Sequence, residues 1–392
     1  MRMIFTRFRR PPHAAAAALV AVALAACSPR DAEPALRVAE ASAQAPKRYR
    51  CAVSMAPSQG AADAEIRAGY AEWKRRYLTA RGSGGGLRVR VTGSGRDKTL
   101  SEGMGYGMLL AAYLNDRPTF DGLWRYAKLH HNPRGLMAWE VTAEGRAPDP
   151  NAATDGDADM AFALVVADRR WGGYRADTQA LIRALFRHTV EPGTFVIKPG
   201  DVWGGSAVTN PSYFAPAYYR AFAEYTGERG WLRVVDANYA ILGRIRRGAR
   251  TGLLPGWTTA AGDSATVGDN LAYMYDYGSA RIPWRLAMDA AWNCDARART
   301  HVDRLNTFFR GVGARRIVDG YRLDGRPTAE GHNAVFVAPA AAGAMLSPDA
   351  RFRSEMWNEM VALRNDGYYA DSLRLLALLL ASGNMQPPAA PR

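Results

Sequence analysis

The feature that most constrains the fold is a succession of helical patterns along almost the whole chain. Apolar residues recur at helical spacing, and Gly or Pro residues separate the segments. Strong strand alternation is scarce, and the clearest case is residues 87–91. The pattern predicts twelve helices, over residues 63–80, 102–115, 120–131, 157–170, 175–188, 213–226, 229–248, 283–295, 300–315, 333–347, 350–363 and 367–382. Because no fixed repeat accompanies them, we expect an all-α, closed arrangement of helix pairs rather than a solenoid.

The first 26 residues have the pattern of an export signal. Several arginines precede an apolar run over residues 14–26, which is too short to span a bilayer as a helix. The run ends in Leu-Ala-Ala-Cys, which resembles a bacterial lipobox with Cys27 as the acylated residue. The sequence therefore predicts a lipoprotein that is anchored in the bacterial envelope, in the periplasm or at the cell surface. An ordinary signal peptide cut near Ala26 is the alternative.

The rest of the chain divides into a tether, one large domain and a tail. Residues 27–50 are rich in Ala, Pro, Ser and charge and predict a flexible tether. No composition break interrupts residues 51–384, and residues 385–392 predict a disordered tail. Export would place Cys51 and Cys294 in an oxidising compartment, where they could form a disulfide or stay as two buried thiols.

The net charge argues for no particular partner. It is +14 for the whole chain and +10 once the signal segment is removed. The arginines are scattered, and neither a zinc-finger spacing nor an arginine-rich helix is present, so we expect no nucleic-acid binding. We expect a monomer whose membrane contact is made by the N-terminal lipid.

Two acidic motifs stand at predicted helix starts. In the first, Ser-Glu-Gly-Met-Gly-Tyr-Gly-Met (101–108), Ser101 suits an N-cap and Glu102 lies at the helix N-terminus, where it could simply complement the helix dipole. The second, 153–171, carries three aspartates at alternate positions, beginning with Asp155. A calcium loop is excluded, because Met and Val occupy the positions that require Gly and a bidentate Glu. We expect no metal and no cofactor.

A third motif combines aromatic residues with arginines. Residues 273–285 read Tyr-Met-Tyr-Asp-Tyr-Gly-Ser-Ala-Arg-Ile-Pro-Trp-Arg and lead into an apolar helix that Pro283 can start. Arg281 and Arg285 are four residues apart and share a helix face, from which they could hold carboxylates bidentately.

Together these motifs resemble glycoside hydrolase family 8. The Asp155 motif matches the family signature from Ala153 to Trp171, and the Glu102 motif is similar to the segment that carries the family's general acid. Further similar segments are 135–139, 211–216, 281–285 and 373–384, and the resemblance covers about residues 65–384. It implies an (α/α)6 barrel that cleaves a β-1,4-linked glucan, cellulose-type or mixed-linkage, internally and with inversion.

The resemblance breaks at the general base. Many family members have an Asp three residues before the arginine that corresponds to Arg281, and this chain has Gly278 there. Asp276, two residues earlier, is the favoured base, and Asp263 and Asp269 are the reserves.

The mechanism adds expectations for the other site residues. Glu102 must stay protonated near neutral pH, so we expect Asp155 and aromatic burial to raise its pKa against the helix dipole. Asp155 would also bind the sugar at the cleavage point. The remaining substrate-binding candidates are two side chains in the motifs and four aromatic side chains that could stack on sugars or belong to the core: Tyr106, Arg281, Trp139, Tyr213, Trp284 and Tyr369.

Three alternatives remain open from the sequence. One is a family 8 xylanase or chitosanase, although a basic protein gains nothing with cationic chitosan. Another is an inactive glycan-binding lipoprotein, which the residue Gly278 would explain. The third is a polysaccharide lyase, which needs a Tyr or His base beside a charge-neutralising Arg.

Overall fold

The structure is a computed structural model, and it describes residues 47–91, 97–245, 250–268, 273–364 and 367–389. The predicted signal peptide, Cys27 and the tether up to residue 46 lie outside these ranges, as does Asp269. In the described part of the chain, no helix is long and apolar enough to cross a membrane.

Helices dominate the described residues, and each of the twelve predicted segments contains one. Their bounds are α1 Gln59–Tyr77, α2 Ser101–Tyr113, α3 Arg117–Leu129, α4 Thr154–Trp171, α5 Arg175–Thr189, α6 Pro216–Thr226, α7 Gly230–Arg244, α8 Ile282–Asn293, α9 Ala296–Val312, α10 Ala334–Ala344, α11 Ala350–Ala362 and α12 Tyr368–Ala381. The helical spacing of apolar residues therefore predicted the elements correctly, with boundaries within a few residues.

Short strands and turns of 3-10 helix fill the connections. The strands are β1 Leu78–Thr79, β2 Arg88–Val89, β3 Lys98–Leu100, β4 Glu140–Thr142, β5 Met274–Tyr275 and β6 Tyr321–Arg322, and the 3-10 turns are Pro211–Tyr213 and Ala314–Arg316. The strands pair only two at a time, β1 with β2, β3 with β4 and β5 with β6, all antiparallel. The predicted strand over 87–91 contains β2.

The even-numbered helices form a closed inner ring. Each packs on the next in the order α2, α4, α6, α8, α10, α12, and α12 packs back on α2. The odd-numbered helices lie outside, with α3 on α2, α5 on α4, α7 on α6, α9 on α8, α11 on α10 and α1 on α12. Inner helices are buried almost all round, as in α10, whereas outer helices such as α9 bury one face. The fold is an (α/α)6 barrel, as the sequence predicts.

The inner helices all begin at the same end of the barrel. Glu102 at the start of α2, Asp155 at the start of α4 and Arg281 just before α8 are in direct contact. The positive ends of the inner helix dipoles therefore converge there. The opposite end lies one helix length away, roughly 20 Å for the 13 residues of α2.

The N-terminal segment 47–55 closes that opposite end. Tyr49 donates from its hydroxyl to the carbonyl of Leu380 at 2.7 Å, and the amide of Met55 donates to the carbonyl of Ala381. These carbonyls belong to the last turn of α12, and that of Leu380 also accepts from the amide of Gly383 at 3.0 Å. Residues 47–50, which were predicted as the end of the tether, are therefore part of the described structure, and Tyr49 among them is buried and bonded to α12.

A disulfide fixes the same segment to α8. Cys51 and Cys294 are bonded, with their Cα atoms 5.5 Å apart, so the disulfide alternative is confirmed and the free-thiol alternative is wrong. The beginning of the predicted disordered tail is also ordered, because Met385 is buried and Gln386 donates to the carbonyl of Gly383.

Candidate active site

Arg281 is the centre of a polar cluster at the N-terminal end of the inner ring. Its Nη1 atom donates to Glu102 Oε2 at 3.0 Å and to Asp155 Oδ2 at 2.5 Å. The same nitrogen donates to the Tyr106 hydroxyl at 3.1 Å, and Nη2 donates to Ser212 Oγ at 3.0 Å. The Arg281 side chain is 4 % exposed, so one buried cation holds both carboxylates. The structure thus brings four of the predicted site residues together.

Glycines allow this cluster to form, because they let α2 and α4 approach closely. A Cβ on Gly105 would lie 2.6 Å from the Cβ of Asp159, and one on Gly156 would lie 2.6 Å from the backbone of Ser101. This contact sets Glu102 beside the first turn of α4. The predicted N-cap role of Ser101 is wrong: Ser101 is already helical, Leu100 precedes it as N-cap, and no side chain caps the helix.

A second buried ion pair lies next to the cluster, one helical turn further along α8 and α4. Arg285, one helical turn beyond Arg281, binds both oxygens of Asp159 at 2.7 and 2.8 Å, and both side chains are buried. The predicted bidentate contact is therefore present for Arg285, whereas Arg281 bonds to Glu102 and Asp155 through the single atom Nη1. The pair leaves Asp159 neutralised while Arg281 remains shared between Glu102 and Asp155.

The environment of Glu102 makes it a proton donor near neutral pH. Burial is the largest influence, and together with the nearby Asp155 and Asp159 carboxylates it raises the pKa of Glu102 to about 7. Arg281 and a hydrogen bond from Tyr368 act in the opposite direction. The expectation of a raised pKa is met, but burial contributes more than Asp155 does. The side chain is still 19 % exposed, so its proton is accessible from the cleft.

Asp276 lies in a tight turn between β5 and α8. Its Oδ1 accepts from the amide of Gly278 at 2.9 Å, and its carbonyl accepts from the amides of Ser279 and Ala280 at 3.0 Å. A Cβ on Gly278 would lie 3.2 Å from Asp276 Oδ1. The carboxylate of Asp276 thus occupies the space into which a side chain at position 278 would extend. Burial, the largest influence, raises the pKa of Asp276, against the hydrogen bond from Gly278.

Tyr369 connects this turn to the arginine cluster. Its hydroxyl donates to the carbonyl of Tyr277 at 3.1 Å, next to Asp276 in the chain. Its ring packs against Tyr106, with the ring centroids 6.3 Å apart, and Tyr106 itself accepts a hydrogen bond from Arg281. The turn that carries Asp276 is therefore held against the elements that carry Glu102.

A row of half-buried aromatic rings leads away from Arg281. The guanidinium carbon of Arg281 lies 5.3 Å from the ring centroid of Tyr213. The ring centroids of Tyr213 and Trp257 are 6.3 Å apart, and those of Trp257 and Trp203 are 5.8 Å apart. Sequence reasoning proposed Tyr213 but missed Trp203 and Trp257. Both stand in loops rich in glycine and aromatic residues, and this composition was the feature of the sequence that could have indicated them as candidates.

Not every predicted aromatic platform has an accessible face. Trp284 is 1 % exposed and packs against Arg285, so its predicted role in sugar stacking is wrong and the core-packing alternative holds. Tyr106 is fully buried, so it has no face open to a substrate, and its hydroxyl accepts a hydrogen bond from Arg281. Trp139 and Tyr369 remain partly exposed. Asp263 is exposed, and its described hydrogen bonds tie its backbone within its own loop rather than to the cluster.

Within the described ranges, no group of three or more His, Cys, Asp or Glu side chains has the arrangement of a metal site. The side chains present at the cluster are two carboxyl groups, one buried arginine and several tyrosines.

Comparison with known proteins assigns the family. The model of Glycosyl hydrolases family 8 matches residues 46–383. Endoglucanase A of Acetivibrio thermocellus is 43% identical over 348 residues, which cover 86% of this chain and 72% of the relative. Endoglucanase 2 of Ruminiclostridium josui is 41% identical over 347 residues, with 86% and 74% covered.

A solved structure agrees with these relatives. The apo structure of a β-1,3-1,4-glucanase from Paenibacillus sp. X4 has a TM-score of 0.82 and 29% identity, and the match covers 87% of this chain and 97% of that chain. The chain therefore belongs to family 8 of the glycosyl hydrolases and is a glycoside hydrolase.

Proposed function

We propose that the protein cleaves β-1,4-linked glucan, cellulose-type or mixed-linkage, at internal bonds and with inversion. The observation that carries the proposal is the environment of Glu102. Its carboxyl group is largely buried and has a pKa of about 7, and it shares Arg281 with Asp155. The names of the similar proteins, endoglucanases and a β-1,3-1,4-glucanase, support glucan as the substrate class.

The reaction needs one acid and one base on opposite sides of the sugar. Glu102 gives its proton to the glycosidic oxygen, and the electron pair of the breaking bond between C1 and that oxygen stays on the leaving sugar. Asp276 takes a proton from water, whose oxygen forms the new bond to C1 from the opposite face. Glu102 regains a proton from solvent and Asp276 releases one, so the enzyme returns to its initial state.

The Asp276 turn supports this residue as the base despite the departure at position 278. The carboxylate of Asp276 fills the space beside Gly278 that a family-type aspartate would enter. The turn therefore still carries a carboxylate, two residues before the position that is usual in the family. This placement argues against the inactive glycan-binding alternative, whose main support was Gly278.

Asp155 supplies a substrate contact and a charge. Its Oδ2 is bound by Arg281, whereas its buried Oδ1 has no hydrogen-bond partner within the described ranges. A sugar hydroxyl at the cleavage point would satisfy that oxygen. The aromatic row of Tyr213, Trp257 and Trp203 would continue the cleft by stacking on successive sugars.

The electrostatics disfavour a lyase. Such an enzyme needs a tyrosine that can lose its proton beside Arg281, and Tyr106 and Tyr213 are the neighbouring tyrosines. Burial, the largest influence, raises the pKa of both hydroxyls well above their usual value. They therefore stay protonated near neutral pH and are poor bases.

The pH profile follows from the two carboxyls. Glu102 must be protonated, so kcat/KM falls as the pH rises through about 7. Asp276 must be ionised, so kcat/KM falls as the pH drops through its raised pKa. Activity is therefore greatest between these two limbs, on the acid side of pH 7.

The substrate class is tested by comparing four polymers. We expect reducing ends to be released fastest from carboxymethyl cellulose and mixed-linkage β-glucan, and more slowly from xylan and chitosan. Proton NMR of the first products should show the α-anomer, because inversion converts the β-linkage. Faster hydrolysis of xylan or chitosan would replace the glucan assignment, and an ultraviolet-absorbing unsaturated product would indicate a lyase.

We further propose that the protein is a monomeric lipoprotein of the bacterial envelope. The support is the Leu-Ala-Ala-Cys end of the apolar run before Cys27. More than one acyl chain is needed for stable attachment, since each buried CH₂ group contributes only ~0.8 kcal/mol. Large exposed apolar side chains in the described part of the chain are few, which supports a monomer.

Lipidation is tested by metabolic labelling. Cells expressing the full chain are grown with labelled palmitate, and the label should appear in the wild type and be absent from Cys27→Ala. The Cys27→Ala protein should also be absent from the membrane fraction of the cells. Equal labelling of both proteins, or labelling of neither, contradicts the anchor and leaves an ordinary signal peptide as the explanation.

A further inference from the structure

Tyr368 reaches the acid from α12, the inner helix that packs beside α2. It is the first residue of α12, and its hydroxyl donates to Glu102 Oε1 at 2.7 Å. Its ring lies over Gly103, where a Cβ would stand 3.4 Å from Tyr368 Cε2. The side chain is 8 % exposed, so packing against the start of α2 fixes the direction of the hydroxyl.

The two oxygens of Glu102 have different partners. Arg281 bonds to Oε2 and can only donate, so Oε2 remains an acceptor in both protonation states. Tyr368 bonds to Oε1, and a hydroxyl can donate or accept. The proton that the acid transfers therefore belongs on Oε1, the atom that Tyr368 contacts.

Several titratable groups surround Glu102. They belong to the inner helices α2, α4 and α12 and to the segments just before α6 and α8. Asp155 and Asp159 on α4 disfavour its charged form, and Arg281 before α8 favours it. The tyrosines that sense its charge are Tyr106, Tyr213, Tyr368 and Tyr369, and Tyr368 is the one whose hydroxyl is bonded to it. Arg281 is divided between two carboxylates and a hydroxyl, whereas Tyr368 donates to Glu102 alone among the described side chains.

We propose that Tyr368 is a positioning residue that directs the proton of Glu102 and stabilises the carboxylate formed when that proton leaves. The inference rests on the proposed role of Glu102 as the general acid. As Oε1 loses its proton to the glycosidic oxygen, negative charge grows on the atom to which the Tyr368 hydroxyl donates. That hydrogen bond strengthens in the transition state and therefore contributes to the rate.

Tyr368→Phe removes the donor and keeps the ring. The alkaline limb of kcat/KM should move up by about one pH unit, because the charged form of Glu102 loses a hydrogen bond that lowers its pKa. At the optimum, kcat on mixed-linkage β-glucan should fall about tenfold. The loss should be smaller on a dinitrophenyl β-cellobioside, whose leaving group needs little protonation.

Tyr49→Phe is the matched control. It also removes one buried tyrosine hydrogen bond, but at the opposite end of the same helix, where the partner is the carbonyl of Leu380. This variant should keep the parental alkaline limb and the parental ratio of the two substrates. If Tyr368→Phe behaves as this control does, or loses the same factor on both substrates with an unmoved limb, the proposal is overturned.

Two further measurements separate the possible failures. If Glu102→Gln is inactive on polymer while Tyr368→Phe leaves the limb unmoved, only the role of Tyr368 is lost. If Glu102→Gln keeps its activity, the proposed function fails first. Should Tyr368→Phe not fold, 3-fluorotyrosine at position 368 keeps the shape and strengthens the donor, and the limb should then move down; an unmoved limb again overturns the proposal.

Discussion

We expect Glu102→Gln to lower kcat on mixed-linkage β-glucan by about 10²–10⁴-fold, the usual contribution of general acid–base assistance. The amide keeps the shape of the side chain and can still bond to Arg281 and Tyr368, so the helix contacts at this end of the barrel persist. It has no transferable proton at any accessible pH, and the alkaline limb near pH 7 should disappear with it. Initial rates across pH, with circular dichroism as the folding check, measure both effects.

The leaving group distinguishes a lost proton donor from a damaged site. A dinitrophenyl glycoside departs without protonation, so its hydrolysis by Glu102→Gln should fall far less than that of the polymer. Glu65→Gln is the control, because Glu65 is also ion-paired with arginines, Arg364 and Arg374, but it lies on the outer helix α1. If Glu102→Gln retained more than a tenth of the polymer activity, the acid would have to be another residue.

The helices were predictable because each carries its own periodic signal. Inner helices such as α10 are apolar all round and outer helices such as α9 have one apolar face, and both patterns are local properties of the sequence. The closure of the ring follows from packing between helices distant in the chain. Its prediction therefore depended on the resemblance of the motifs to a known family rather than on the helix count.

The core of the site was predictable for a related reason. Glu102, Asp155 and Arg281 each stand at the start of an inner helix, and parallel inner helices bring their starts together. Trp284 was assigned wrongly, because it lies inside the first turn of α8, where its indole is buried beside Arg285. Trp203 and Trp257 were missed, because loop residues have no periodicity from which their direction could be inferred.

The contact between Tyr368 and Glu102 could not be predicted from the sequence. It lies 266 residues from Glu102, and the tandem Tyr368-Tyr369 gives no indication of which hydroxyl faces which partner. In the structure the first binds the acid and the second binds the carbonyl of Tyr277 beside the base. The division of roles is set by the one-residue rotation of about 100° along α12.

Asp276→Asn is expected to abolish hydrolysis while oligosaccharide binding stays nearly unchanged, because water activation contributes mainly in the transition state. The amide can still accept from the amide of Gly278, so the turn keeps its shape. Steady-state rates on β-glucan and calorimetric binding of cellopentaose measure the two quantities. Added azide should restore part of the rate on an activated glycoside, since a small anion can attack from the space that the carboxylate leaves.

Moving the carboxylate back along the turn tests the same assignment more sharply. Asp276→Gly removes the base, and the double variant Asp276→Gly with Gly278→Asp returns a carboxylate to the position usual in the family. Because the Cβ at position 278 points to the site of the present Asp276 Oδ1, 3.2 Å away, the double variant should recover a measurable part of the rate that the single variant loses. A near-normal rate for Asp276→Asn, together with an inert Asp263→Asn or Asp269→Asn, would instead place the base in the preceding loop. If all three were silent and the wild type turned over no β-glycan, the protein would be an inactive glycan-binding member of its family, and Gly278 would be the simplest cause.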